Sequence, residues 1–315
     1  MTAIDEDPGA ESVGVHFIDV GQGDCTVFID REQGVALVVD CPAQMAARVA
    51  ELLKSLGVVE VAAILITHWD LDHYGGALEL ADTTECAALY YNRDTIMAFP
   101  EDKTLRRAAL LRLLEEPFRS MNHFAAHEGV TGTLGSMEWE LLAPSQLHLT
   151  EAVARLDRNM ASALVRATAH GSSVMVCGDA DGRVWQRLID ARIDLNATVL
   201  RWPHHGSSLG ERSVAPADVL GAVDPMYVVI SVGSNNPYGH PKPEVVTTIA
   251  SRSIMACTEV TRQCHASLQD GEIRSCGGTL SFSISEAKGL TPGNGWARHS
   301  AVVDGWMSPM CRSIG

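Results

Sequence analysis

The sequence contains no uncharged apolar run near the roughly 18 residues that a membrane-spanning helix needs, so no spanning segment is expected. Its first residues, MTAIDEDPGAES, are acidic and lack an apolar stretch; no secretory signal is read there, and the expected compartment is the cytoplasm. Positive charge is scarce: 24 Lys and Arg stand against 39 Asp and Glu, a net charge of −15. So acidic a chain gains little from the general attraction behind non-specific nucleic-acid binding, and metals with a local basic patch must offset the repulsion if it cuts nucleic acid. The eight cysteines include no short knuckle pair. In a cytosolic chain they read as core thiols or metal ligands rather than a disulfide set. No short-period repeat is present.

What is there is a globular composition, 46% hydrophobic and 20% charged over 315 residues, enough for a sizeable core. Residues 1–12 read as an acidic tail. Strands are expected at Val13–Ile18, Thr26–Ile29 and Val35–Val39, the last two joined by a turn at Arg31–Gly34. Ala43–Leu56 carries Met45, Val49, Leu52, Leu53 and Leu56 at helical spacing and stops at Gly57. A strand at Val61–Ile66, a helix from Gly75 and a strand at Ala87–Tyr91 continue an α/β layered pattern. Lys103–Glu116 reads as a helix on which Lys103, Arg106 and Arg107 share one turn, a solvated face or a phosphate contact. His123 and His127 read as surface or lid residues. In the second half, strands are expected at Trp139–Ala143, Asn159–Thr168, Ser173–Cys177, Thr198–Trp202, Tyr227–Val232, Ile254–Thr258 and Thr279–Ile284. Helices are expected near Gly182–Ile193 and Glu244–Ser251, and residues 287–315 read as a tail or surface arm.

Chemistry concentrates in Thr67-His-Trp-Asp-Leu-Asp-His-Tyr-Gly-Gly76. Two histidines and two aspartates within six residues, at the end of a buried strand, have the make-up of a metal site. His68, Asp70 and Asp72 alternate, so an extended backbone points them one way and His73 another. That suggests two neighbouring cations, with zinc, manganese or iron suited to the imidazole and carboxylate mixture. Asp40, ending the strand at Val39, either orients a ligand histidine or caps the following helix. Further polar clusters end strands of the second half at Asp179, at His204-His205 and at His240. Cys257, Cys264 and Cys276 read as buried thiols in closing strands, with a small structural zinc site as the alternative.

The loop His68-x-Asp70-x-Asp72-His73 resembles the signature of the metallo-β-lactamase superfamily, with Asp70 where a second histidine is usual. Together with Asp19-Val-Gly-Gln-Gly-Asp24 it looks like the hydrolase domain of the ComEC competence family and its stand-alone relatives. Asn159 to Ser162, Gly178-Asp179, His204-His205-Gly206-Ser207 and Tyr238-Gly239-His240-Pro241 follow in the matching order. The resemblance spans Val13 to Ile284; the domain expected is 13–286, without the membrane channel of ComEC. It implies a four-layer αβ/βα sandwich of the metallo-β-lactamase type with two divalent ions, Zn or Mn, at the edge of the sheets. One would take His68 and Asp70, completed by His205 or His204. The other would take Asp72, His73 and His240, with Asp179 bridging. Asp70 in place of an imidazole shifts preference towards Mn. The implied activity is a phosphodiesterase or nuclease, cleaving DNA or RNA with a hydroxide made by the two metals. Asp72 would accept the proton and His204 donate one, while Ser207, Asn235 and Asn159 would hold substrate. The alternative is hydrolysis of a small ester, thioester or phosphocholine-type substrate, which the acidic surface favours. A protein partner or self-association is left open.

Overall fold

In the computed structural model, residues 12–99, 103–115, 118, 121–210, 214–264, 272–306 and 309–312 are described. The expected acidic tail lies outside them except for Ser12, which is buried. The chain first lays down β1 (Val13–Phe17), β2 (Thr26–Asp30), β3 (Val35–Val39), β4 (Glu60–Leu65), β5 (Ala88–Tyr91) and β6 (Asn122–Ala125). Helices α1 (Ala46–Ser55), α2 (Leu71–Tyr74), α3 (Ala77–Thr83) and α4 (Lys103–Arg112) lie among them. A second sheet follows: β7 (Thr131–Leu134), β8 (Met137–Ala143), β9 (Leu164–Ala169), β10 (Ser172–Val176), β11 (Val199–Arg201), β12 (Tyr227–Ile230) and β13 (Ile254–Cys257). Its helices are α5 (Gln146–Arg155), α6 (Gly182–Asp190), α7 (Pro216–Val223) and α8 (Pro243–Ala250). The chain then returns to the first sheet with β14 (Leu280–Ser285) and β15 (Gly289–Pro292), and ends in α9 (Asn294–Asp304).

The first sheet runs β15-β14-β1-β2-β3-β4-β5-β6 and the second β13-β12-β11-β10-β9-β8-β7. In each, a run of parallel strands, β3 to β6 and β10 to β13, adjoins an antiparallel meander. Alternation along the strands supplies two apolar faces per sheet. Val15, Phe17, Leu37, Val39 and Leu65 meet Trp139, Val165, Val174 and Val199 between the sheets. The opposite face of the first sheet packs on Val49 and Leu53 of α1 and Leu80 of α3. The opposite face of the second packs on Trp185 and Leu188 of α6, Val219 of α7 and Ile249 of α8. This is the four-layer αβ/βα sandwich.

Local chemistry fixes the helix ends. Asp181 caps α6 by accepting from the N–H groups of Arg183 and Val184, and α7 and α8 each open on a proline. Three expectations change. Where a tail or surface arm was expected from 287, β15 pairs with β14, and Trp296 of α9 packs 5.2 Å from Phe282 and 5.1 Å from Tyr227, closing the end of the inter-sheet core. Residues 159–161, expected as the start of a strand, lie instead in a short 3-10 turn, Arg158–Ala161, before β9. Arg106 is neither a solvated charge nor a phosphate contact. It is fully buried under α4 and donates to the carbonyls of Phe99 (2.8 Å) and Trp69 (3.3 Å), while Lys103 and Arg107 stay exposed.

Two buried histidines away from the strand ends make folding pH-dependent. Burial, with Arg187 nearby, pushes His148 down to about 4, and its Nδ1 accepts the N–H of Ser145 at the start of α5. Burial and Arg312 likewise push His299 down to about 4. Both imidazoles are neutral in the fold, whereas the unfolded chain takes up protons as pH falls below about 6.5. Stability is therefore full above that value and lost as pH falls towards 4, by up to about 1.4 kcal/mol per pH unit for each group. Thermal melts across pH 7 to 4.5 should fall more steeply for the parent than for His148→Gln, which keeps the cap without the titration.

Candidate metal centre

Five strand ends of the two parallel runs open on one edge of the sandwich, the place where ligands of α/β sheets collect. Asp40 follows β3, His68 follows β4, Asp179 follows β10, His204 and His205 follow β11, and Ser231 follows β12. The extended alternation expected from His68 through Asp72 does not form: the chain bends at His68 and Trp69, and Asp72 and His73 lie in the single turn of α2.

Asp179 is the pivot. Its Oδ1 lies 3.3 Å from His73 Nε2 and 3.7 Å from His205 Nε2, and Asp72 Oδ2 is 3.4 Å from the same His205 nitrogen. Its Oδ2 lies 3.9 Å from His68 Nε2 and 3.8 Å from His204 Nε2, and Asp70 Oδ2 is 3.5 Å from His68 Nε2. One carboxylate thus faces two donor groups, one with each oxygen. His205 joins Asp72 and His73. His240 is buried, its ring 5.6 Å from that of His204 and stacked at 6.0 Å on Tyr238, with Nδ1 unpartnered in the protein. Asn236 bonds both its N–H and its carbonyl.

The imidazoles are held by their outer nitrogens. His73 Nδ1 donates to Asp40 Oδ2 at 2.8 Å. Thr67 Oγ1 donates to the same oxygen at 2.7 Å, which leaves it to accept from His68 Nδ1 at 3.2 Å. His205 Nδ1 donates to the Ser231 carbonyl at 3.1 Å. Asp40 is therefore an orienting group for two histidines. It caps no helix: Met45 precedes α1. In each case Nε2 is turned inward. His204 also faces Asp179 through Nε2, but Asn159 Nδ2 donates to its Nδ1 at 3.2 Å, so the proton of the neutral ring sits on Nε2. Its side chain is also 32% exposed, against 3% or less for the other three rings.

Asp24, seen in the sequence only as a turn carboxylate, is buried behind this layer. It lies 3.7 Å from the Nδ1 edges of both His73 and His205, and it is ion-paired to the fully buried Arg201. Arg201 also donates to the Gly178 carbonyl at 2.8 Å. Burial lowers its guanidinium to about 9. The pair ties the β1–β2 turn of one sheet to β11 of the other.

Backbone conformation brings the donors in. His204 and His205 both adopt left-handed φ, 51° and 52°, so the chain doubles back and presents two adjacent rings to one side, a strained arrangement of the kind found at functional sites. Gly178 also has positive φ, 49°, and a Cβ there would sit 2.8 Å from Thr67 Oγ1. Gly23 has φ 133°, and a Cβ there would meet the Asp72 carbonyl at 2.6 Å.

A divalent cation fits this chemistry. Buried Nε2 atoms of His68, His73 and His205 and Oδ1 of Asp179 have no hydrogen-bond partner in the protein, and each such group costs about 1–3 kcal/mol unsatisfied. Among the described residues, Asp24, His73, Asp179 and His205 offer donor atoms within 4.8 Å of one another. Burial by itself would keep Asp179 and Asp72 protonated; His73 and His205 outweigh it and hold both well below the usual range. Burial would likewise lower His73, but Asp179 and Asp40 raise it well above the usual value.

The remaining candidates scatter. Ser207 Oγ accepts the N–H of Leu209 within its own turn, and Asn235 is exposed. Asn159, expected on substrate, instead holds His204. His123 contacts the Phe118 carbonyl, and His170 is exposed in the β9–β10 turn. Cys257 and Cys276 are buried and Cys264 half-buried; Cys276 pairs with His299 Nδ1 at 3.0 Å, and the three cysteines are not among the described groups able to hold a cation.

A model of the metallo-beta-lactamase superfamily matches residues 18–213. ComE operon protein 3 of Bacillus subtilis (strain 168) is 24% identical over 259 residues, covering 76% of this chain and 31% of that protein. Competence protein ComA of Neisseria gonorrhoeae is 31% identical over 119 residues, covering 38% and 16%. The chain thus spans a third or less of these relatives. Among solved structures, it resembles CmlA, a diiron β-hydroxylase from Streptomyces venezuelae, with TM-score 0.50 and 14% identity over 78% of this chain and 51% of that one. For the metallo-beta-lactamase fold protein YhfI from Bacillus subtilis the TM-score is 0.49, with 12% identity over 78% and 96%. At these identities the structural likeness speaks for the fold alone.

Two substitutions separate orientation from cohesion. Asp40→Asn suits the left-handed backbone there (φ 62°), but its single acceptor oxygen cannot serve both the Thr67 N–H and His73 Nδ1; metal affinity, read by competition with a chelating dye, should fall about 10–100-fold. Asp24→Asn leaves Arg201 charged and buried, and urea unfolding should show a loss of about 3–5 kcal/mol.

Proposed function

From the premise that the chain belongs to the metallo-beta-lactamase superfamily of metal-dependent hydrolases, we propose that it is a two-metal phosphodiesterase acting on DNA or RNA. The observation that carries this reading is Asp179, with a separate histidine and carboxylate group facing each of its oxygens. His68 and Asp70 would hold one ion, Asp72, His73 and His205 the other, with Asp179 between. Zinc and manganese both suit these donors, and Asp70 favours manganese. Two such ions acidify coordinated water and offset charge on a phosphoryl group.

The chain's own residues divide the rest. Asp72, 35% exposed and held ionised by His205 and His73 against the effect of burial, is placed to accept a proton. His204 carries its proton on Nε2 at the opening and is placed to give it to a leaving oxygen. Thr67, Asp40 and Ser231 hold the inner rings in register. The competence relatives support a nucleic-acid substrate. The net charge of −15 favours the second reading, a small ester, thioester or phosphocholine-type substrate at the same centre.

Purified protein incubated with linear and circular DNA, RNA and a model phosphodiester, in Mn²⁺, Mg²⁺ and Zn²⁺ in parallel, should cleave at least one polynucleotide. Asp179→Ala should abolish cleavage with an unchanged circular dichroism spectrum. Turnover of small esters with none of polynucleotides would favour the second reading, and full activity of Asp179→Ala would reject the bridging role.

A further inference from the structure

The turn at 157–162 touches the centre three times. Arg158 Nη1 lies 2.6 Å from Asp70 Oδ1, Asn159 Nδ2 donates to His204 Nδ1 at 3.2 Å, and Ser162 Oγ accepts the Asp179 N–H at 3.2 Å. The turn is anchored from outside by Arg183, whose Nη1 reaches Asp157 Oδ2 at 3.1 Å and Met160 Sδ at 3.5 Å. The base of Arg158 is therefore fixed while its head meets the mouth of the site.

Two guanidiniums pair with the centre's carboxylates, and they differ in reach. Arg201 is fully buried on Asp24 and the Gly178 carbonyl. Arg158 is 27% exposed, comparable to His204 and Asp72 at 32% and 35%. Its ion pair with Asp70 engages Nη1, and a guanidinium has five N–H donors in a planar fork suited to phosphate. In a chain of net charge −15, a polyanion entering this opening needs a cationic contact that the overall field does not supply.

We propose that Arg158 is the substrate-phosphate clamp of the centre, binding a non-bridging phosphoryl oxygen through its outward N–H groups while its inner edge stays on Asp70. The assignment rests on the phosphodiesterase reading above for its substrate, but anion binding can be measured without turnover. It also gives Asp70 a second use: its charge keeps the arginine at the opening, which an imidazole at that position cannot do.

The test uses the full chain loaded with Mn²⁺ and compares the parent with Arg158→Gln and Arg158→Lys. Metal content is read by mass spectrometry, inorganic phosphate affinity by calorimetry and KM with bis(p-nitrophenyl) phosphate. Arg158→Gln should keep its metal, bind phosphate at least tenfold more weakly and raise KM by a similar factor. Arg158→Lys should recover part of both, since it restores charge without the fork. Unchanged phosphate affinity in Arg158→Gln overturns the proposal, and so does loss of metal, which would reduce Arg158 to a support for Asp70. If the parent cleaves no phosphodiester while Arg158→Gln still loses phosphate affinity, the anion site stands and the phosphodiesterase reading falls.

Discussion

Asp179 carries a charge in a place where water barely reaches, 4% exposed, with imidazoles beyond each of its oxygens. An isolated carboxylate there would protonate rather than stay ionised. The surrounding structure is arranged to keep it charged. Three rings turn Nε2 inward because their Nδ1 atoms are engaged by Asp40, Thr67 and the Ser231 carbonyl. Cations between the donors would neutralise the same geometry.

That requirement explains features of the fold that packing alone does not. The two sheets meet through an apolar core, yet at the functional edge they are joined by polar ties. The Asp24–Arg201 pair crosses from the β1–β2 turn to β11, and the Ala163 N–H bonds the Thr67 carbonyl. A buried ion pair contributes little net stability, but it fixes where its elements sit. Here it fixes the histidines of one sheet relative to the aspartates of the other. Strained backbone at His204 and His205 sits where these ties are densest, so the surrounding structure can hold it.

The outer ring of the site has a different character from the inner one. His68, His73 and His205 are enclosed, whereas Asp72, His204 and Arg158 reach the opening. The buried groups are suited to holding ions and the open ones to meeting substrate. Tyr238, 61% exposed and stacked on His240, extends the rim on the side of His204.

Much of this was legible in the chain. Clusters of imidazole and carboxylate at strand ends are unusual enough to declare a metal site, and two periodicities, of strand and helix, declare the layers. Local pattern also announced Asp40 as a candidate orienting group. What the sequence could not decide was which groups meet. His205 and His240 are equally plausible as letters; a left-handed turn at 204–205 brings the first to Asp72, while the second lies with its ring 5.6 Å from that of His204. Asp24, Arg106 and Arg158 are ordinary polar residues until packing buries the first, seals the second beneath α4 and sets the third against Asp70. Residues 287–306 have a weak pattern because only a few side chains, Trp296 above all, face the core. Composition and spacing determined the ligand chemistry and the class of fold, because those depend on residue type and local period. Partner choice was decided by tertiary structure, because it depends on contacts between residues that stand apart in the chain, by 88 positions for Arg158 and Asp70 and by 133 for Asp72 and His205.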